Sequence, residues 1–197
     1  MKSVFRGALC AALWAVVPAL ALWTPPASAS VSVELSLDRL AAGADAVVVG
    51  TPVARRALWR GGRIYTYSRL HIDVPVAGSF RQGDEIWLRT RGGIVGDVGQ
   101  RVDGEAILAE GVRTVVFLRG TDDGAMAVYG RAQGQFRLVS GSDAVERLQP
   151  ASNLGALVPD RRHPSSPRDA ARTALAGRPL DDAAALIAEA WRNGHDR

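Results

Sequence analysis

His71 and Asp73 are separated by one residue in Leu70-His71-Ile72-Asp73-Val74. On an extended strand that spacing puts both side chains on one face, where they could share a metal ion. A zinc centre needs three or four protein ligands, and the remaining histidines, His163 and His195, stand in the tail. A metal site would therefore need distant carboxylates to converge. A solvated cross-strand pair is the plainer reading, and no metal is assigned.

A second candidate is Gly92-Gly93-Ile94-Val95-Gly96-Asp97-Val98-Gly99-Gln100. Its glycines suggest a phosphate cradle, but the Gly-Lys-Ser/Thr ending and the Gly-x-Gly-x-x-Gly spacing are both missing, and no helix follows. It reads as a rim loop that buries Ile94 and Val98. Binding residues concentrate on loops carried by a rigid scaffold, so this loop, with Gln100, Arg101 and Gln135, is a candidate binding site. A third candidate is the arginine–aromatic set Trp59, Arg60, Arg63, Tyr65 and Tyr67. Such a set could stack bases and follow phosphates, contact a polar partner surface, or be an ordinary exposed face with cation–π pairs.

No Gly-x-Ser-x-Gly elbow and no His-Glu-x-x-His appear. The single cysteine, Cys10, lies near the start, and the single lysine is Lys2. Lys2 and Arg6, an apolar run over 8–23 and Ala27-Ser28-Ala29 form the pattern of a secretory leader. Cleavage after Ala29 is expected, leaving Ser30 first; an uncleaved anchor is the alternative, disfavoured because the run is short and broken by Pro18. The exported chain then has no thiol, no disulfide and no lysine, so Schiff-base and Ser–Lys chemistry are excluded. Removing two basic residues lowers the formal charge from +4 to +2. With export, this small charge argues against a nucleic-acid partner. The expected location is periplasmic or secreted, with no stable membrane anchor once the leader is gone.

The elements that must hold these candidates are mostly strands. Residues 64–74 alternate, Leu70, Ile72 and Val74 on one face and Tyr65, Tyr67, Arg69, His71 and Asp73 on the other. Ser36 as N-cap, Asp38 in the first turn and Gly43 as stop predict a helix over Leu37–Ala42. Apolar runs at 46–53 and 114–118 predict buried strands, and 85–90, 125–129 and 135–139 complete the set. Short strands separated by turn signals indicate a small barrel or sandwich. Past residue 140, a stretch to 165 reads as linker. Ser166, Pro167 and Asp169 then suggest a capping box opening a helix that stops at Gly177. Asp181 is expected to cap a second helix, with Ala183, Leu186, Ile187, Ala190 and Trp191 as its apolar stripe. That stripe is expected to dock on the β-domain, with partner binding as the alternative.

The order of short helix, Ala44-Asp45-Ala46-Val47-Val48-Val49-Gly50, long strand, polar strand, glycine-rich excursion and final buried strand resembles the netrin-like OB barrel of the tissue inhibitors of metalloproteinases. Gly-Gly-Arg-Ile-Tyr-Thr-Tyr (61–67) and Ala-Gln-Gly-Gln-Phe (132–136) are also similar to segments of a group of uncharacterised secreted bacterial proteins. The likeness covers roughly residues 35–139. It implies an OB-like small barrel with a short N-terminal helix and leaves the C-terminal helices unaccounted for. With the helical pair read from caps and spacing, the expected fold is a mainly β, OB-like small barrel with a short N-terminal helix and a C-terminal helical pair. In those inhibitors an N-terminal cysteine chelates the protease zinc; here Ser30 would stand first, so the inhibitory residues do not carry over. The expected division is leader 1–29, barrel 30–140, linker 141–165 and helical segment 166–197. The expected function is a non-enzymatic module that binds another exported protein, a protease being one candidate, without a cofactor. The alternative is an envelope hydrolase or ligand-binding enzyme using His71, Asp73 and Asp97.

Overall fold

Alternating and uninterrupted apolar patterns give a mainly β protein with one short helix before the strands and two after them. The computed structural model describes residues 31–163 and 166–196. The expected leader and its cut site lie outside them. The elements in chain order are β1 (Val31–Val33), α1 (Leu37–Ala42), β2 (Ala46–Arg60), β3 (Arg63–Ala77), β4 (Glu85–Arg91), β5 (Gly93–Val95), β6 (Val98–Gln100), β7 (Thr114–Gly120) and β8 (Met126–Val128). A 3-10 turn (Arg131–Gly134) leads to β9 (Gln135–Ser140), β10 (Glu146–Pro150), β11 (Ala156–Val158), α2 (Ala171–Leu175) and α3 (Leu180–His195).

The organising hairpin is β2–β3. Gly61 and Gly62 turn it with φ of 57° and 73°, the paired positive values that a tight hairpin turn demands. β4 pairs with β3, and β7 with the start of β2. β8 touches β4 in parallel at Leu88↔Met126 and runs antiparallel to residues 118–120 of β7, so β2, β3, β4, β8 and β7 form a ring-like sheet. The other half of β7's edge, residues 114–116, pairs with β9, and β10 follows outside β9.

Residues 46–49 of β2 and 115–118 of β7 are buried on both faces. Ala46, Val48, Val116 and Leu118 point into the ring with Leu70, Ile72 and Leu88. Val47, Val49, Val115 and Phe117 point outward, where α1, α2 and α3 cover them with Leu40, Leu175, Ile187 and Ala190. This double burial is why both sequences are unbroken apolar runs. The stripe of α3 therefore packs on the β-domain, as expected, and Trp191 Nε1 donates to Ala44 O at 3.2 Å.

Four sequence expectations need correction. Val74 does not face the ring: Asp73 is an extra residue between the pairs Val49↔Val74 and Gly50↔Ile72, and this bulge turns Val74 outward, 40% exposed. The sheet does not end at Val139, because β10 lies within the stretch expected to be linker and takes its hydrogen bonds from β9. The Ser166–Asp169 pair does form, Asp169 accepting from Ser166 N at 2.9 Å, but α2 begins later, at Ala171. Asp181 does not cap α3; Pro179 holds the cap position, and Asp181 and Asp182 sit in the first turn, favourably placed at the positive helix end.

Candidate functional site

The arginine–aromatic set divides between two faces. Cross-strand register puts Trp59 opposite Ile64 and Arg60 opposite Arg63, so Trp59 lies on the face opposite to Tyr65 and Tyr67. The outward residues are largely satisfied by one acid that the sequence did not single out. Asp123, in the turn between β7 and β8, accepts from Tyr67 Oη at 2.7 Å, Arg89 Nη1 at 2.9 Å and Thr121 Oγ1 at 2.5 Å, and it also pairs with Arg60. Arg89 lies 5.4 Å over the Tyr65 ring, and Arg56 5.1 Å over Trp87. The Thr121 hydroxyl, with Tyr67 and Arg89 beside it, holds the Asp123 carboxyl well below the usual carboxylate range. This cluster pins the 120–125 turn to β3 and β4. Arg63 remains exposed.

The glycine-rich loop builds something different. β5 and β6 form a small hairpin that folds back over the end of the ring. Gly92 N donates to Ile64 O at 2.8 Å, Thr66 Oγ1 donates to Gly92 O at 2.7 Å, and Ile64 N donates to Gln100 Oε1 at 2.7 Å. Gly93, at φ 137°, is required here: a Cβ would come within 2.4 Å of Thr66 Oγ1. Beneath the hairpin lies a cleft of about 420 Å³, within the range that small ligands occupy. Gln100 and Arg101 line it, as do Thr66, Ser68 and Thr90 on its strand floor and Arg55, Arg91 and Glu105 around it.

Gln135 does not line the cleft. It is 3% exposed and clasps Ile107, accepting from its N–H at 2.9 Å and donating to its carbonyl at 2.6 Å, which holds the 105–108 wall in place. The rest of the 132–136 segment is architectural too. Gln133 bonds the backbone of Val33 and Leu35, a Cβ on Gly134 would lie 1.9 Å from Tyr129 O, and Phe136 packs edge-on to Phe117.

Sequence reasoning missed Ser68 and Glu105, whose types are common and whose burial no motif announces. Ser68 Oγ is buried and has no hydrogen-bond partner among the described residues, a costly state for a hydroxyl. The Glu105 carboxyl is buried 3.5 Å from Arg131 Nε; burial pushes its pKa up, and Arg131 only partly opposes this. The mouth carries exposed aliphatics, Ile94 at 73% and Ile107 at 61%. The expectation that Ile94 and Val98 are buried is overturned, since the hairpin turns both outward and Val98 is 49% exposed.

His71, Asp73 and Asp97 are not brought together. His71 faces Thr51 and Glu85 across the strands, while Asp73 accepts from Thr51 Oγ1 at 2.8 Å and Arg113 Nε at 3.3 Å. Asp97 is at the tip of the β5–β6 hairpin, which leaves the sheet beside Tyr65, about 20 Å along β3 from His71 at the rise of a strand. Among the described residues no three metal-ligating side chains gather. No helix among them is long and apolar enough to cross a membrane. No family model matches the chain, and no curated protein or solved structure matches it.

Proposed function

We propose that the chain is an exported, non-enzymatic binding module on an OB-like barrel, and that it grips another exported protein at the cleft under the β5–β6 hairpin. Support for the barrel comes from the order of pairing. Counted from β2, the five ring strands run first, second, third, fifth, fourth and back to first, with the third and fifth parallel. That order matches the connectivity of the five-stranded Greek-key barrel, which binds ligands on a strand face and its adjoining loops. The likeness of residues 35–139 to the netrin-like fold points the same way, although a fold does not fix a function.

The observation that carries the binding reading is the cleft itself: an unpartnered buried hydroxyl at the floor and exposed isoleucines at the lip. Such a combination of apolar area and a few orienting polar groups is what a binding site needs. A photo-crosslinking side chain at Ile107, with a control at Arg192 on α3, tests the reading in the native exported protein mixture. A discrete adduct from position 107 alone is expected. Identical adducts from both positions, or none from either, would remove the cleft from consideration.

A further inference from the structure

We infer that the cleft accepts an aliphatic group ending in a single carboxylate, held by the guanidinium of Arg55 and the hydroxyl of Ser68; this deepens the binding reading above and rests on it. Arg55 and Ser68 stand directly opposite each other across β2 and β3, so they share a face with Cβ atoms about 5 Å apart. Both line the cleft. Ser68 Oγ has no partner among the described residues, so its O–H is available as a donor. Among the described residues Arg55 is held only by a 3.8 Å pair with Glu110 in which both side chains are more than half exposed, an attachment worth little in water. A ligand carboxylate there would take one charge-assisted bond from arginine and one bond from serine.

The surroundings set the ligand's charge and its body. The lining carries Arg55, Arg91 and Arg101 against Asp103 and Glu105, a surplus of one positive charge. Glu105 faces Arg131 and Asp103 faces Arg101, so among the described residues each acid of the lining already has a cation beside it. One surplus charge suits a monoanion better than a phosphate dianion beside a buried glutamate. Ile94, Ile107 and Leu108 offer the body an aliphatic wall.

Two sources present this chemistry: a free short-chain acid and the C-terminal residue of a protein. The purified exported chain is titrated calorimetrically with hexanoate, hexanamide, N-acetyl-Gly-Gly-Leu and its C-terminal amide. Saturable binding of an acid, with its amide about tenfold weaker, is the expected result. Arg55→Gln is expected to erase that difference, and Ser68→Ala to weaken the acid several-fold at a Tm no lower than the parent's. Glu110→Gln, which frees Arg55, is expected to tighten it. The tighter acid identifies the source. Equal binding of acid and amide, or an Arg55→Gln variant that binds the acid as well as the parent, overturns the carboxylate while leaving a cleft that binds. No saturable binding of any probe, alongside a successful crosslink at position 107, overturns it as well.

Discussion

Two acids show how strongly surroundings set what a residue does. Asp123 is an ordinary turn residue by sequence, yet it gathers a threonine, a tyrosine and two arginines. Its carboxyl is held below the usual range, so it stabilises the fold when ionised. That contribution is complete above the unfolded pKa of about 3.9 and is lost as pH falls below it. Asp123→Asn is therefore expected to cost about 1–3 kcal/mol near pH 7, with the gap from the parent closing between about pH 5 and 2 in urea titrations. A gap constant over that window would show that the charge contributes nothing. Glu105 has the opposite sign. Burial raises its pKa, so stability is complete below the unfolded value of about 4.3 and is lost as pH rises through the folded one. Glu105→Gln is expected to be more stable than the parent at pH 7 and equal to it at pH 3.5. A less stable variant at pH 7 would mean that Arg131 outweighs the cost of burial.

Among the elements, α3 answers most directly to substitution. Its apolar stripe was legible from spacing alone, and Ala183, Ile187 and Ala190 are buried against the outer face of the sheet. Ile187→Ala is expected to cost about 2–5 kcal/mol in chemical denaturation, the usual result of a cavity at a fully buried site. A loss below about 1 kcal/mol would place the helix loosely on the sheet. The β5–β6 hairpin was not legible. Its glycines announced irregular chain, correctly excluding helix, but pairing between such short segments depends on where Thr66 and Gln100 can reach. β10 escaped for a related reason: Glu-Arg-Leu-Gln-Pro has one apolar residue, Leu148, and becomes a strand because β9 offers it an edge.

Across the molecule, sheet and helices share one wall. β2 and β7 belong to both apolar clusters, and the chain beyond β10 is stitched back by Gly177 N to Leu148 O at 2.8 Å and Leu148 N to Arg178 O at 3.0 Å. A single cooperative unfolding transition is expected, coincident by far-ultraviolet dichroism and by tryptophan fluorescence. Phe117→Ala, at the shared wall, is expected to cost about 3–5 kcal/mol and to lower both signals' midpoints together. Separate transitions would show that the helical tail folds independently of the ring.

The sequence by itself determined the β character, the α1 helix with its Ser36 cap, the two doubly buried runs and the inward row Leu70 and Ile72, because each is written in local chemistry and periodicity. Its choice of Gln100 and Arg101 also falls on the cleft, through the general tendency of loops on a scaffold to line sites. Only the tertiary structure decided that Gln135 braces rather than lines, that Trp59 leaves the tyrosine face, and that Arg55 meets Ser68 beside a wall closed by Glu105. These depend on register and on contacts between residues far apart in the chain, and a one-residue bulge such as that at Asp73 changes them without any mark in composition.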